Sequence, residues 1–197
     1  MEKKIEELIS ECLKLGFNPN QISQIAHGII QRLDVSKYAN LKYNGKQMKE
    51  IRLGLIKGLN VTKYADPKYN ENQMYQIQKG LESGIDISKY ADPKYSVDQM
   101  FQIRLGLMNK VNVNVYADPK FDRLQMEEIR LGLENGLDVD KYVNPELNYW
   151  QMEEIRKGLR KGLNVDKYAN PKLNAEEMAE IRKGLKKEKQ KEPELEI

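Results

Sequence analysis

The sequence predicts an all-α fold, a helical-repeat solenoid in which each 26-residue unit forms one long helix and one short helix, of α or 3₁₀ type. Four columns of like residues recur at a step of 26 with no insertion, and no segment shows a strand pattern. The columns are Tyr38, Tyr64, Tyr90, Tyr116, Tyr142 and Tyr168; Ile25, Ile51, Ile77, Ile103, Ile129, Ile155 and Ile181; Gly28, Gly54, Gly80, Gly106, Gly132, Gly158 and Gly184; and Met48, Met74, Met100, Met126, Met152 and Met178, with Ile22 in the first place.

The long helix of each unit is predicted from the residues at its two ends. Asn70 is a favoured N-cap, and Gln73 follows three residues later, as a capping box requires. Gly84 supplies the left-handed conformation that closes many helices. The helix between them has about 13 residues and a length of roughly 20 Å. Met74 and Ile77 lie on its apolar stripe.

The short helix follows the long one directly. Asp86 is expected to cap a single helical turn from Ile87 to Ala91. Asp92-Pro93 ends this turn, because the residue before a proline is pushed out of the helical region.

Gly80 and its column lie in the middle of the long helices, where a glycine costs about 1 kcal/mol relative to alanine. A cost repeated in every unit needs a structural reason. We expect a close approach of the neighbouring helix at this column. The alternative is backbone left bare for contact with a ligand.

The tyrosine column has two interpretations. Each ring could fill the seam between a short helix and the next long helix, with its hydroxyl bonded to a partner. Alternatively, rings stacked at the repeat spacing could bind bases or aromatic ligands. The regular spacing and the apolar neighbours favour the seam. Tyr69, Tyr95 and Phe121 are expected to pack in the same way at the start of the long helix.

The chain is predicted to have three segments. Residues 1–16 form an amphipathic helix that lacks the motif and is expected to cap the array. Residues 17–185 form about seven units, the first of which has His27 and Arg32 where the next has leucine and glycine. Residues 186–197 are charged and contain a proline, which predicts a disordered tail.

Composition narrows the classes of function. Of the 197 residues, 40% are hydrophobic and 32% are charged, with a net charge of +3, which disfavours a strongly basic nucleic-acid-binding domain. Cys12 is the single cysteine, so no intramolecular disulfide is possible. The chain lacks a signal-peptide pattern and any run of roughly 20 apolar residues. We therefore expect a cytoplasmic protein without a membrane partner.

The sequence offers no set of residues for catalysis. His27 is the single histidine, so a histidine-based metal site or catalytic triad lacks its other members. No glycine-rich phosphate-binding loop is present. We predict a protein that is not an enzyme and that has neither a cofactor nor a metal ion.

Residues that depart from the repeat pattern are the candidates for a partner-binding surface. Shared positions build a repeat scaffold, and variable positions are free to specify a partner. Large aromatic side chains at such positions are typical anchors of protein interfaces. We predict a protein partner, scaffolded or sterically inhibited by this chain, that is bound through Tyr75, Phe101, Leu124, Tyr149 and Trp150.

A nucleic acid or nucleotide is the alternative partner, because aligned columns of arginine, lysine and tyrosine could follow phosphates and bases. Gln78 interrupts the arginine column. Glutamates stand beside the arginines, and the pairs Glu127-Glu128 and Glu153-Glu154 are expected on a solvated face, where ion pairs contribute little. The arginine ladder consists of Arg52, Arg104, Arg130, Arg156 and Arg182.

The repeat motif QM-x-x-IR-x-GL-x-x-GLDV-x-x-YADP resembles repeats in uncharacterised bacterial and phage-type proteins, from about Phe17 to Gly184. In architecture it is similar to the variant leucine-rich repeat, which alternates an α-helix with a 3₁₀ helix. The resemblance implies a helical array and brings no activity and no catalytic residues. A phage-type kinship implies inhibition of a host defence system as a role.

Overall fold

The computed structural model describes the backbone of residues 2–191 and the side chains of residues 6–190. These residues form eight α-helices and six 3₁₀ helices and contain no strand, which confirms the all-α fold and the short 3₁₀ helix of each unit. The α-helices are α1 (Glu2–Lys14), α2 (Pro19–Ile30), α3 (Gly45–Ile56), α4 (Glu71–Glu82), α5 (Val97–Met108), α6 (Arg123–Glu134), α7 (Tyr149–Leu159) and α8 (Ala175–Lys191). The 3₁₀ helices are Val35–Lys37, Val61–Lys63, Ile87–Lys89, Val113–Val115, Val139–Lys141 and Val165–Lys167.

The chain divides into two compact units, Met1–Met100 and Phe101–Ile197. The repeat columns form the core of each unit. In the first unit Tyr64 and Met74 are fully buried, and in the second Met152 and Ile155 are fully buried. The columns identified by periodicity are therefore the positions that leave water on folding, which is the main source of stability in such a fold.

A glutamine in the first turn of several long helices connects neighbouring repeats. The Gln73 side chain accepts a hydrogen bond from the Asn70 backbone N–H at 3.0 Å, which completes the predicted capping box. Its amide nitrogen donates to the carbonyl oxygens of Pro93 and Tyr95 in the next repeat, at 3.2 and 2.8 Å. One buried side chain thus satisfies a helix end and two loop carbonyls. Further glutamines with both roles are Gln47, Gln125 and Gln151.

The tyrosine column fills the seam, as the favoured interpretation predicted. The ring of Tyr64 is fully buried, and its hydroxyl donates to the carbonyl oxygen of Glu50 at 3.3 Å. The other five tyrosines donate to the carbonyl oxygen fourteen residues earlier at 3.0 to 3.3 Å. Since the ring faces are enclosed, this column cannot stack on bases, and the alternative interpretation is wrong for it.

The close approach predicted at the glycine column is present, and the segment of the short helix makes it. A Cβ atom on Gly54 would overlap the hydroxyl of Tyr64 and would lie 3.1 Å from a ring carbon of Tyr64 and from Val61 Cγ1. Val61 begins the short helix that follows the glycine, and Tyr64 comes directly after that helix. Within the described residues, Gly184 has no atom within 4 Å of its Cβ position, and no tyrosine stands ten residues after it.

The predicted glycine C-caps are present. Gly58, Gly84, Gly136 and Gly162 have φ angles between 61° and 67°, in the left-handed region. The equivalent residues Arg32 and Lys110 adopt φ angles of 57° and 60°. The backbone of the repeat thus imposes a positive φ here whether or not the residue is a glycine, and at two positions it does so at a cost.

Helices lie at both ends of the described part of the chain. Helix α1 contacts α2, with Cys12 buried. At the other end, α8 runs to Lys191, so residues 186–191 of the segment predicted as a disordered tail are helical. Residues 192–197 of that predicted tail lie outside the described residues.

Candidate functional site

Helix α5 carries an apolar stripe on its solvent-facing side, formed by Phe101, Leu105 and Met108 at helical spacing. Phe101 is 36% exposed and Met108 is 44% exposed. Arg104 lies across the stripe, with its guanidinium carbon 5.3 Å from the centre of the Phe101 ring and Nη1 3.3 Å from the Met108 sulfur. These contacts hold both apolar side chains in place at the surface.

Trp150 is the most exposed of the predicted partner-binding residues, at 55%. It lies in the first turn of α7, where its ring contacts the half-buried ring of Tyr149 with centroids 4.3 Å apart and planes tilted by 35°. An aromatic neighbour at this distance restricts the indole without covering it. The result is a large, oriented and accessible aromatic surface.

The remaining predicted residues differ in accessibility. Tyr75 is exposed in the first unit, with the Lys79 ammonium 5.5 Å from its ring centre. Leu124 in α6 is half-buried. Thus all five predicted residues retain some contact with solvent, whereas the apolar repeat columns are buried.

A groove of about 420 Å³ opens beside Trp150, between α7 and α8. Alanines at two positions of α8 create the space, because the equivalent residues one repeat earlier are Tyr149 and Glu153. The groove is lined by Trp150, Glu153, Lys157, Ala175, Glu176 and Ala179, among others.

The arginine ladder connects neighbouring repeats. Nε of Arg156 donates to a carboxylate oxygen of Glu128 at 2.7 Å, and Nε of Arg182 donates to Glu154 at the same distance. In both pairs the partner lies 28 residues earlier, and all four side chains are largely buried.

In other repeats a glutamine occupies the position equivalent to Glu128 and Glu154. Arg130 Nε donates to the Gln102 side chain at 2.9 Å, and Arg52 Nε donates to the Gln24 side chain at 3.1 Å. Four of the five ladder arginines therefore make cross-repeat bonds, and the expectation of a solvated face is wrong for the buried Glu128 and Glu154.

Glu50 and Glu154 occupy the same repeat position, but their pKa values are shifted in opposite directions. Burial acts to raise the pKa of Glu154, but hydrogen bonds from Lys157 and Arg182 outweigh burial and lower it. Glu50 faces Gln78, whose amide donates to the Glu50 backbone carbonyl at 3.0 Å. Among the described residues, Glu50 Oε2 is a buried atom without a hydrogen-bond partner, and burial raises the pKa of the carboxyl.

A cluster of cations lies at the C-terminal end of α7. A cleft of about 440 Å³ there includes Arg160 and Lys161 in its lining, and Lys186 stands nearby on α8. None of the three has an ion-pair partner within the described part of the chain. Desolvation, together with Lys186 and Arg182, lowers the pKa of Lys161.

The residues with catalytic or metal-binding chemistry do not converge. Within the described residues, no group of three or more histidine, cysteine or acidic side chains could hold a metal ion. His27 is exposed, with Nδ1 3.4 Å from the Ser23 hydroxyl. Burial raises the pKa of the Cys12 thiol, which disfavours the reactive thiolate.

No protein-family model, curated protein or solved structure matches this chain. The resemblance to bacterial and phage-type repeat proteins therefore stays a prediction. No helix in residues 2–191 is both long enough and apolar enough to cross a membrane.

Sequence reasoning missed residues that complete these surfaces. Leu105 belongs to a column shared with other units, and Met108 closes its helix, so neither stood out as a variable aromatic. Ala175 and Ala179 matter because they are small. Their signal in the sequence is two alanines where the preceding repeat has tyrosine and glutamate.

Proposed function

We propose that this protein is a non-enzymatic repeat module that binds another protein through the exposed side of its long helices. One observation carries the proposal: large aromatic and apolar side chains remain exposed at positions where most other repeats have polar residues. Trp150 and the stripe of Phe101 and Met108 are the main examples. Burying one such side chain in an interface contributes roughly 1.5–3 kcal/mol, which is the size of contribution that interface anchors make.

The mode of action follows from a surface without reactive groups. A module that covers part of a partner acts by scaffolding or by steric inhibition. Because cross-repeat hydrogen bonds hold the helices of each unit, little conformational entropy is lost on binding. Inhibition of a host defence protein, the role that the phage-type resemblance implies, is one form of this proposal.

The test is cross-linked capture of partners by the tagged full-length chain in the cells that express it, followed by mass spectrometry. We expect Phe101→Ala and Trp150→Ala to reduce capture of the same partner at least tenfold, because each removes an anchor. Leu41→Ala, which truncates an exposed residue in a loop outside the long helices, is the matched control. All variants are checked for unchanged helicity by circular dichroism.

A second candidate is binding of a phosphate-bearing ligand, favoured by Arg160, Lys161 and Lys186, which form no ion pair within the described residues. Clustered cations repel one another, and a polyanion relieves that repulsion. This candidate predicts binding that weakens steeply with salt and is lost in Arg160→Gln/Lys186→Gln. The second proposal would replace the first if capture of the partner weakens steeply with salt and is unchanged by Phe101→Ala and Trp150→Ala.

A further inference from the structure

We infer that the groove between α7 and α8 beside Trp150 receives a single arginine or lysine side chain from a segment of a partner protein. This inference specifies the partner chemistry of the proposed function and rests on it. The argument depends on the charge of the groove, its aromatic wall and the space that its two alanines leave.

The charges that line the groove leave one negative charge uncompensated. Lys157 pairs with both Glu153 and Glu154, at 3.1 and 2.8 Å. Glu154 is also held by Arg182, which neutralises it. Glu176 is exposed in the first turn of α8 and has no ion-pair partner among the described residues. A monovalent cation is therefore the complement of this site.

The indole of Trp150 provides the second element of recognition. A cation over an aromatic face is attracted by the ring quadrupole, and tryptophan is the best aromatic for this contact. The contact with Tyr149 holds the indole before a ligand arrives, which lowers the entropic cost of binding. A flat guanidinium can also stack on the ring, so arginine fits this wall better than lysine.

The third element is the space itself. The groove measures about 420 Å³, within the range of ligand pockets, from about 300 to 1,000 Å³. Ala175 and Ala179 leave its floor open and apolar, which suits the aliphatic part of a long cationic side chain. A phenylalanine at the position of Ala179 would close it, and the repeat tolerates that residue because Phe101 occupies the equivalent position.

Trp150 is the single tryptophan of the chain, so its fluorescence reports on the groove directly. The full-length protein is titrated with a blocked hexa-arginine peptide, and with blocked hexaglutamate as the charge-reversed probe. We expect a saturable change in fluorescence with hexa-arginine alone. Glu176→Gln should weaken binding about threefold, and Ala179→Phe should weaken it at least tenfold. Asp140→Asn, the same loss of charge at an exposed residue outside the groove, should bind like the parent protein.

The inference is overturned if hexa-arginine binds Ala179→Phe as tightly as the parent, if hexaglutamate binds equally well, or if Asp140→Asn weakens binding as much as Glu176→Gln. Its failure can be separated from failure of the proposed function. If partner capture depends on Trp150 but hexa-arginine does not bind, only the inference fails. If hexa-arginine binds but capture ignores Phe101→Ala and Trp150→Ala, the proposed function fails.

Discussion

The contact between Gly54 and Tyr64 predicts that alanine at position 54 destabilises the protein and that loss of the Tyr64 hydroxyl offsets this effect. At the equivalent Gly184, alanine should not destabilise the protein. In Gly54→Ala the added methyl group would occupy the position of the Tyr64 hydroxyl, which is enclosed and hydrogen-bonded to the Glu50 carbonyl. Either the ring withdraws from the seam or the helix shifts away from it. We therefore expect Gly54→Ala to destabilise the fold, although alanine is the better helix former.

The magnitude follows from the separate effects. Overpacking of this kind costs typically 1–3 kcal/mol, and the displaced tyrosine loses a hydrogen bond worth about 1 kcal/mol. The gain in helix propensity returns about 1 kcal/mol. Because the methyl group would overlap the hydroxyl directly, the upper end of the overpacking range applies, and we expect Gly54→Ala to lower the free energy of unfolding by about 3 kcal/mol. Tyr64→Phe should cost about 1 kcal/mol, because Gln78 still donates to the carbonyl that the hydroxyl leaves.

The double variant Gly54→Ala/Tyr64→Phe separates this cause from general damage. Removing the hydroxyl leaves the new methyl 3.1 Å from a ring carbon and from Val61 Cγ1, distances that small shifts can accommodate. The double variant should therefore be no less stable than Tyr64→Phe by more than about 1 kcal/mol, which corresponds to a coupling energy of at least about 2 kcal/mol.

Urea unfolding followed by far-UV circular dichroism measures these differences. Gly184→Ala is the matched control, since no atom of the described part of the chain lies within 4 Å of that Cβ position. It should be neutral or stabilising by up to about 1 kcal/mol. The reasoning is refuted if Gly184→Ala destabilises as much as Gly54→Ala, or if the double variant is as unstable as Gly54→Ala alone.

Three further predictions concern other parts of the repeat. Lys110→Gly should raise the free energy of unfolding by about 1 kcal/mol in urea, because it relieves a left-handed lysine; an unchanged or lower stability would contradict this. Glu50→Gln should stabilise the protein near neutral pH, because the raised pKa of Glu50 makes its ionised form a burden that is relieved as pH falls through the folded-state pKa. Its advantage in thermal unfolding should shrink as the pH falls towards about 4 and be lost well below that value, where the carboxyl is protonated in both states, and an advantage independent of pH would refute this cause. Gln125→Met should cost about 2–3 kcal/mol in urea, because it leaves the Asp122 N–H and two carbonyls of the next repeat without their partner; a loss confined to helix capping, about 1 kcal/mol, would show that the cross-repeat bonds contribute nothing.

The ends and caps of the helices could be predicted because they depend on residues close in the sequence. The cap residue Asn70, the left-handed Gly84 and the short helix after Asp86 each depend on neighbours within a few positions, and all three are present. The exposure of Phe101 and Trp150 was also predictable, because both interrupt columns that hold polar residues in most other repeats.

The contacts of the mid-helix glycines and of the arginine ladder could not be predicted from the sequence. Position 54 has no room for a Cβ atom because the hydroxyl of Tyr64, ten residues later, lies there. Spacing alone does not show which neighbouring group takes up that space. Arg156 and Glu128 are 28 residues apart, so nothing in the sequence indicated that they form a buried pair. Residues adjacent to them in the chain suggested an exposed face.

By itself, the sequence determined the period of 26, the helix ends and the residues of the core, since repeated spacing and backbone chemistry operate along the chain. Only the tertiary structure decided which polar side chains form hydrogen bonds between repeats and which apolar side chains remain exposed to water. Packing brings together residues 22 to 28 positions apart, and the same residue type is buried or exposed according to those distant neighbours. That is why the arginines became internal bonds and the space beside Trp150 became a groove.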